Sequence, residues 1–204
     1  MSEARTLNVA DLPAFEISNK SPLWLGQTLL CVIEGTMFSI LLAMYFYYRL
    51  GFSVWPPPGV QLPHTLIPTL AWIPLALSVL GSYWASEGAK RDDRKWMLIG
   101  LLVNLAFALV FLGMRAYEWV TLNFSWSSDL HGSIFWAILY LHTIDISGDL
   151  LMTAVLIVIL ARGRYGEQQR LGVHVDSVVW YFLVAIWVPL YAVIYWGPHV
   201  LGAP

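Results

Sequence analysis

The stretch Trp96–Val120, WMLIGLLVNLAFALVFLGMRAYEWV, decides the fold class. From Trp96 to Met114 no charge interrupts it, and its one strongly polar side chain is Asn104. A bilayer core is crossed by about 20 consecutive apolar residues per helix, because a helix satisfies its backbone without water. The stretch therefore reads as a transmembrane helix. Four further runs pass the same test, at approximately 24–49, 63–86, 132–161 and 178–200. The expected architecture is all-α, a polytopic bundle of five transmembrane helices over residues 23–204. A polar tail, residues 1–22 with Glu3, Asp11 and Glu16, precedes it. The first apolar run begins at Leu23 and is too long for a signal-peptide core of about 7–15 residues, so it is expected to stay as helix one.

Composition agrees. Of 204 residues, 58% are hydrophobic and 12% charged, with mean hydropathy +0.65; soluble domains carry about 25% charge. A soluble core of this size cannot enclose so much apolar surface. The net charge of -2 offers no cationic field for a phosphate backbone, so nucleic acid is excluded as a partner. The single Cys31 lies in an apolar run, supplies neither a disulfide framework nor a thiolate metal site, and reads as a small core residue.

The connectors carry their own punctuation. Trp55-Pro56-Pro57-Pro58-Gly59 ends helix one, and the charge run Glu87 to Lys95 ends helix two. Thr121–His131 and Arg162 to about Asp176 read as the remaining two connectors. On a five-helix thread Arg5, Lys20, Lys90, Arg91, Arg94, Lys95, Arg162, Arg164 and Arg170 share one side, nine of the eleven cations, against Arg49 and Arg115. Cations collect on the cytoplasmic side, which predicts a cytoplasmic amino terminus and an external carboxyl terminus. Tryptophans near the span ends, Trp24, Trp84, Trp96, Trp119 and Trp196 among them, form an interfacial belt.

Polar groups inside the spans are the candidate site residues. Glu34 stands about ten residues into helix one, roughly 15 Å deep. A carboxylate there is costly, and the cost is removed by a bound proton or by a polar partner on another helix. Two readings stay open: a proton-exchanging carboxyl, or a neutral hydrogen-bonded link between helices. Helix four places His142, Asp145 and Asp149 on one face, at spacings of three and four. The depth of Asp149 comes within about a turn of Glu34. A proton relay, a metal site and a structural polar network are the alternatives, and a single His leaves a metal short of converging ligands. Arg115 and Glu118 are expected at the external interface, as a snorkelling pair or as a lipid-phosphate contact. Asn104 reads as interhelical glue.

The order of several short motifs resembles subunit III of the haem-copper oxidases, the cytochrome c oxidase type, in its short five-helix bacterial form. Glu34-Gly35-Thr36-Met37-Phe38 is similar to that family's Ser-Glu-x-Met-Phe-Phe, and Trp55-Pro56-Pro57 to the turn that follows. Ala116-Tyr117-Glu118-Trp119 looks like its Gln-x-x-Glu-Tyr. Gly132-Ser133-x-Phe135 with His142-x-x-Asp145 and Gly148 resembles Gly-Ser-x-Phe followed by Gly-Phe-His-Gly-Leu-His-Val-x-x-Gly. Trp180-Tyr181-Phe182, Trp187 and Val193-Ile194-Tyr195-Trp196 track its closing pattern. Three positions depart from it: Asp145 and Tyr181 stand where the family has His, and Val184 where it has Asp.

The resemblance implies a non-catalytic subunit in a bacterial cytoplasmic membrane. It would pack on a catalytic subunit I and a copper-bearing subunit II, bind phospholipid, and support proton uptake and durability of the oxygen-reducing site, with Glu34 as the membrane carboxyl. Haem and copper are expected in those partners and no cofactor in this chain. The departures keep open an accessory subunit of a nitric oxide reductase or a quinol oxidase. A small proton-coupled transporter using Glu34, Asp145 and Asp149 is the alternative of another class; the paired internal repeat common in transporters is not evident.

Overall fold

The computed structural model describes residues 21–200, and the tail expected on the cytoplasmic side lies almost wholly outside them. The order is α1 (Pro22–Leu50), α2 (Leu66–Lys90), α3 (Arg94–Thr121), α4 (Leu130–Ala161) and α5 (Glu167–Tyr191), which runs on through a π-helical turn (Ala192–Trp196) to a last turn (Gly197–Val200). Five helices are long and apolar enough to cross a membrane, and no strand occurs among the described residues. The chain is an all-α, multi-pass membrane protein. Helices of 25–32 residues reach about 38–48 Å, beyond the roughly 30 Å of hydrocarbon. Their ends project into the headgroup layers.

Those ends are capped where the sequence offers short polar side chains. Ser21 accepts from Trp24 N–H with Pro22 in the first turn, Asp93 accepts from Lys95 and Trp96 N–H, and Asp129 accepts from Gly132 N–H. At the end of α4 the Arg94 guanidinium reaches across from α3 and donates to the carbonyls of Leu160 (2.9 Å) and Ala161 (3.1 Å). An arginine thus satisfies acceptors that a helix terminus leaves open.

The tightest packing joins α2 to α3. A methyl group added at Gly81 would lie 2.8 Å from the Gly100 carbonyl, and one at Gly100 would lie 2.6 Å from the Gly81 carbonyl and against the Ala85 backbone. At Gly88 it would meet Met97 N at 2.6 Å. The two backbones touch along a seam that no side chain separates, as small residues allow between helices in lipid. Across the seam Asn104 Nδ2 donates to Ser82 Oγ at 2.9 Å, fully buried. Asn104 is the interhelical link its sequence context predicts.

α5 begins eleven residues before the expected span at 178. The stretch read as a connector as far as Asp176 is nearly three turns of helix, with Leu171, Val173, Val175 and Val179 buried. Its first turn, Glu167-Gln168-Gln169-Arg170, is polar because that end projects past the apolar layer. Asp92, in the α2–α3 turn, binds Arg170 Nη1 at 2.9 Å and accepts from the Tyr165 hydroxyl. These contacts put the two cation-rich connectors at one end of the bundle. The Tyr165 hydrogen bond, then the Arg170 contact, hold the Asp92 carboxyl below its ordinary 3.8. A lowered carboxyl contributes above its unfolded value and loses that contribution as pH falls through its folded value, so the clasp is intact at neutral pH.

At the opposite end the Trp55-Pro56 peptide is cis. Trp55 folds back beneath α1, 2% exposed, against Tyr45 and His131 with ring centroids 5.5 and 5.8 Å away. α1 packs chiefly on α4 and α5, and turns Leu25, Leu29, Val32, Ile33, Ile40 and Tyr47 outward.

The seam makes a specific demand on Gly100. Gly100→Leu is expected to lower the thermal stability of the purified protein by about 1–3 kcal/mol or more, as overpacking against backbone does. Gly113, with nothing within 4 Å of its added methyl, should accept Leu with no measurable loss. Equal unfolding temperatures for the two variants would contradict the seam.

Candidate functional site

Two polar centres lie inside the bundle, one on each side of a layer of rings. The layer is set by His142 on α4, whose ring lies 6.2 Å from Phe38 of α1, 6.4 Å from Phe111 of α3 and stacked 4.4 Å from Trp187 of α5. His142 is fully buried, and its Nε2–H donates to the Leu183 carbonyl at 3.1 Å. The tautomer follows, since a carbonyl only accepts.

One turn toward the cation-rich end lies the carboxyl centre. α1 and α4 run antiparallel, so pairing Phe38 with His142 puts Glu34 opposite Asp145. Glu34 and Asp145 are half-buried and electrostatic neighbours. Asp149, another turn along α4 and only 9% exposed, interacts with Glu34 and with Asp176 of α5. Asp176 is 5% exposed and accepts from the Thr153 hydroxyl at 3.0 and 3.2 Å through its two oxygens. Glu34 Oε2, Asp145 Oδ2 and Asp149 Oδ2 are buried with no hydrogen-bond partner in the protein. Cys31, one turn before Glu34, is half-buried beside Glu34 and Asp149. It lines a cleft of about 270 Å³ between α1 and α5 with Trp24, Gln27, Thr28 and Phe182.

One turn toward the other end lies the Arg115 centre. Arg115 and Glu118, expected at the lipid headgroups, lie instead within the bundle at 2% and 3% exposure. Arg115 Nη1 donates to Glu118 Oε2 at 2.9 Å, and the Tyr195 hydroxyl donates to Glu118 Oε1. The guanidinium also sits over the rings of Trp187 (4.3 Å) and Phe111 (5.2 Å). Tyr195 reaches Glu118 from the π-helical turn that follows Pro189, a proline inside α5 that removes one backbone donor from the ladder. The pair is closed off from lipid by α5.

The structure thus divides the stripe read from helix four. Asp145 and Asp149 join Glu34, while His142 belongs to the ring layer. Asp176 and Tyr195 complete the two centres; sequence did not single out Asp176, and it marked Tyr195 only as part of the closing motif, not as a partner of Glu118. Asp176 stood in an apparent connector, and nothing in the chain links Tyr195 to a residue 77 positions earlier. Among the described residues no three His, Cys, Asp or Glu side chains form a set that could hold a metal ion.

The family model for cytochrome c oxidase subunit III matches residues 15–198. The chain belongs to that family. Relatives include cytochrome c oxidase subunit 3 of Thermostichus vulcanus, 27% identical over 172 residues, which cover 84% of this chain and 85% of the relative. The Synechocystis protein of the same name is 25% identical over 171 residues, 83% of this chain and 73% of its own. The Prototheca wickerhamii protein is 28% identical over 147 residues, 71% of this chain and 56% of its own. Membership in the subunit III family makes the chain an accessory member of a haem-copper oxidase, and sets both polar centres inside a subunit of such an assembly.

Arg115→Met leaves Glu118 buried without its cation and is expected to cost about 3–5 kcal/mol, whereas Arg115→Met with Glu118→Leu recovers most of that loss. Thermal unfolding of the purified variants in mild detergent measures both. A double variant no more stable than Arg115→Met would show that the pair contributes through packing alone.

Proposed function

We propose that this chain is the non-catalytic subunit III of a respiratory haem-copper terminal oxidase, packed against a catalytic subunit I and a copper-bearing subunit II, with haem and copper held by those partners. The observation that carries the reading is the family match across residues 15–198. The outward apolar side chains of α1 offer a face for a partner subunit or for phospholipid. Glu34 supports proton uptake by the complex. Its support is physical: a carboxyl with a buried, open oxygen about 18 Å along α1 is the kind of group that holds and releases a proton at membrane depth.

The orientation proposed is a bacterial cytoplasmic membrane with the amino terminus inside and the carboxyl terminus outside. The contacts of Asp92 with Arg170 and Tyr165 support it, because they gather Lys90, Arg91, Arg94, Lys95, Arg162, Arg164 and Arg170 at one end. Asp145, Tyr181 and Val184 keep a second reading, the accessory subunit of a quinol oxidase or nitric oxide reductase. The family match leaves the small-transporter reading without a supporting observation.

The test is purification of the tagged chain from its own membranes in mild detergent. The expected outcome is haem absorbance with two larger subunits at constant stoichiometry, and oxygen reduction by the isolated complex. A colourless chain that purifies alone would overturn the proposal, and haem with nitric oxide reduction in place of oxygen reduction would select the second reading.

A further inference from the structure

Asp176 and Asp149 have no part in the family pattern that singled out Glu34, yet they stand between it and the cation-rich end of the bundle. The Thr153–Asp176 hydrogen bonds fix Asp176 at the level of Thr153. Asp149 lies four residues further along α4, about 6 Å deeper, and Asp145 with Glu34 another turn beyond, so the carboxyls descend in steps of about one helical turn. Asp149 Oδ2 is the open atom in the middle of that series, on a side chain 9% exposed.

The groups facing the series are Cys31 and Glu34 from α1, Asp145, Asp149 and Thr153 from α4, and Asp176 from α5. None of these helices brings a cation to it. α1 from Pro22 to Tyr48, all of α4, and α5 from Leu171 to Val200 contain no Lys or Arg. Arg115 is committed to Glu118 beyond the ring layer. Closely spaced carboxyls in a low dielectric with no counter-cation are balanced by protons.

We propose that Asp176 and Asp149 form a proton ladder that connects the cation-rich end of the bundle to Glu34, with Asp176 as its outermost carboxyl. The inference rests on the reading of Glu34 as a proton-exchanging group. Once Glu34 has released its proton, Asp149 gives its own from Oδ2 to Oε2 of Glu34. Asp176 re-protonates Asp149 while its Thr153 hydrogen bond stabilises the carboxylate left behind, and water at the cation-rich end re-protonates Asp176; each O–H bond breaks as the next forms, and nothing is oxidised or reduced. Short side-chain rotations or one bridging water span each step of about a turn.

The test uses the whole oxidase complex, with wild-type chain or with Glu34→Gln, Asp149→Asn, Asp176→Asn or Asp176→Glu. Infrared spectra follow the carboxylic C=O band as H2O buffer is exchanged for D2O, and loss of a band in Glu34→Gln assigns it to Glu34. The expected result is deuterium exchange at Glu34 slowed by about a hundredfold or more in Asp149→Asn and Asp176→Asn, the lower end of the usual scale for removing a proton-transfer group, with restoration in Asp176→Glu. Asn keeps the size of Asp and its acceptor for Thr153, so the loss reads the titratable proton and not the packing. Should Asp176→Asn fail to assemble, Asp149→Asn carries the same test. Unchanged exchange at Glu34 in the Asn variants overturns the ladder and leaves the Glu34 reading standing. A wild-type complex with no Glu34 carboxylic band at neutral pH overturns the Glu34 reading itself, and the ladder with it.

Discussion

A polar group inside a bilayer must find its partner within the protein, and the bundle is arranged around that requirement. The backbone meets it by remaining helical through each of the five long spans. Side chains meet it by pairing across helices: Asn104 with Ser82, Thr153 with Asp176, and Tyr195 with the Glu118 that Arg115 binds within α3. Each pair fixes the rotation of two helices about their own axes, since a slip of one residue would turn a polar group toward lipid. The glycine seam of α2 and α3 meets the same requirement by close approach of the backbones.

The ring layer of Phe38, Phe111, His142 and Trp187 gives the arrangement its consequence. Arg115 lies one turn to one side of it and Glu34 with Asp145 one turn to the other, a separation of about 11 Å along the bundle. The buried cation is taken up by Glu118, and the carboxyls are left to balance one another. Where the family pattern has a second histidine, Asp145 places a further acid beside Glu34. A base able to accept a positive charge is thereby exchanged for a group able to carry a negative one, and the centre becomes wholly acidic.

Much of the fold was legible in the sequence because lipid imposes a simple rule on composition. Long uncharged runs locate the helices, and the proline-rich and charged segments locate their ends. The periodicity of α4 put His142, Asp145 and Asp149 on one face, and the depth of Asp149 came within about a turn of Glu34, which the structure sets opposite Asp145. What escaped was tertiary. α5 starts early because its first turn, Glu167–Arg170, projects beyond the apolar layer, and the connector this suggested hid Asp176, which lies further in and is buried. Arg115 and Glu118 resembled an interfacial pair because their distance from the helix end is right for one, and only α5 folding over them makes them internal. Gly81 and Gly100 carry no chemical signal apart from their size, and their role is visible only once the two helices are seen to touch.

Proton uptake by the assembled oxidase tests the central claim most directly. Complexes carrying wild-type chain or Glu34→Gln, matched for haem content, are mixed with oxygen and their proton uptake from the medium is followed with a pH-indicating dye. The account predicts slower uptake in the Gln complex, with haem oxidation before the first proton-dependent step unchanged. Uptake at the same rate in both, at equal haem content, would contradict it and leave Glu34 as a structural link between α1 and α4.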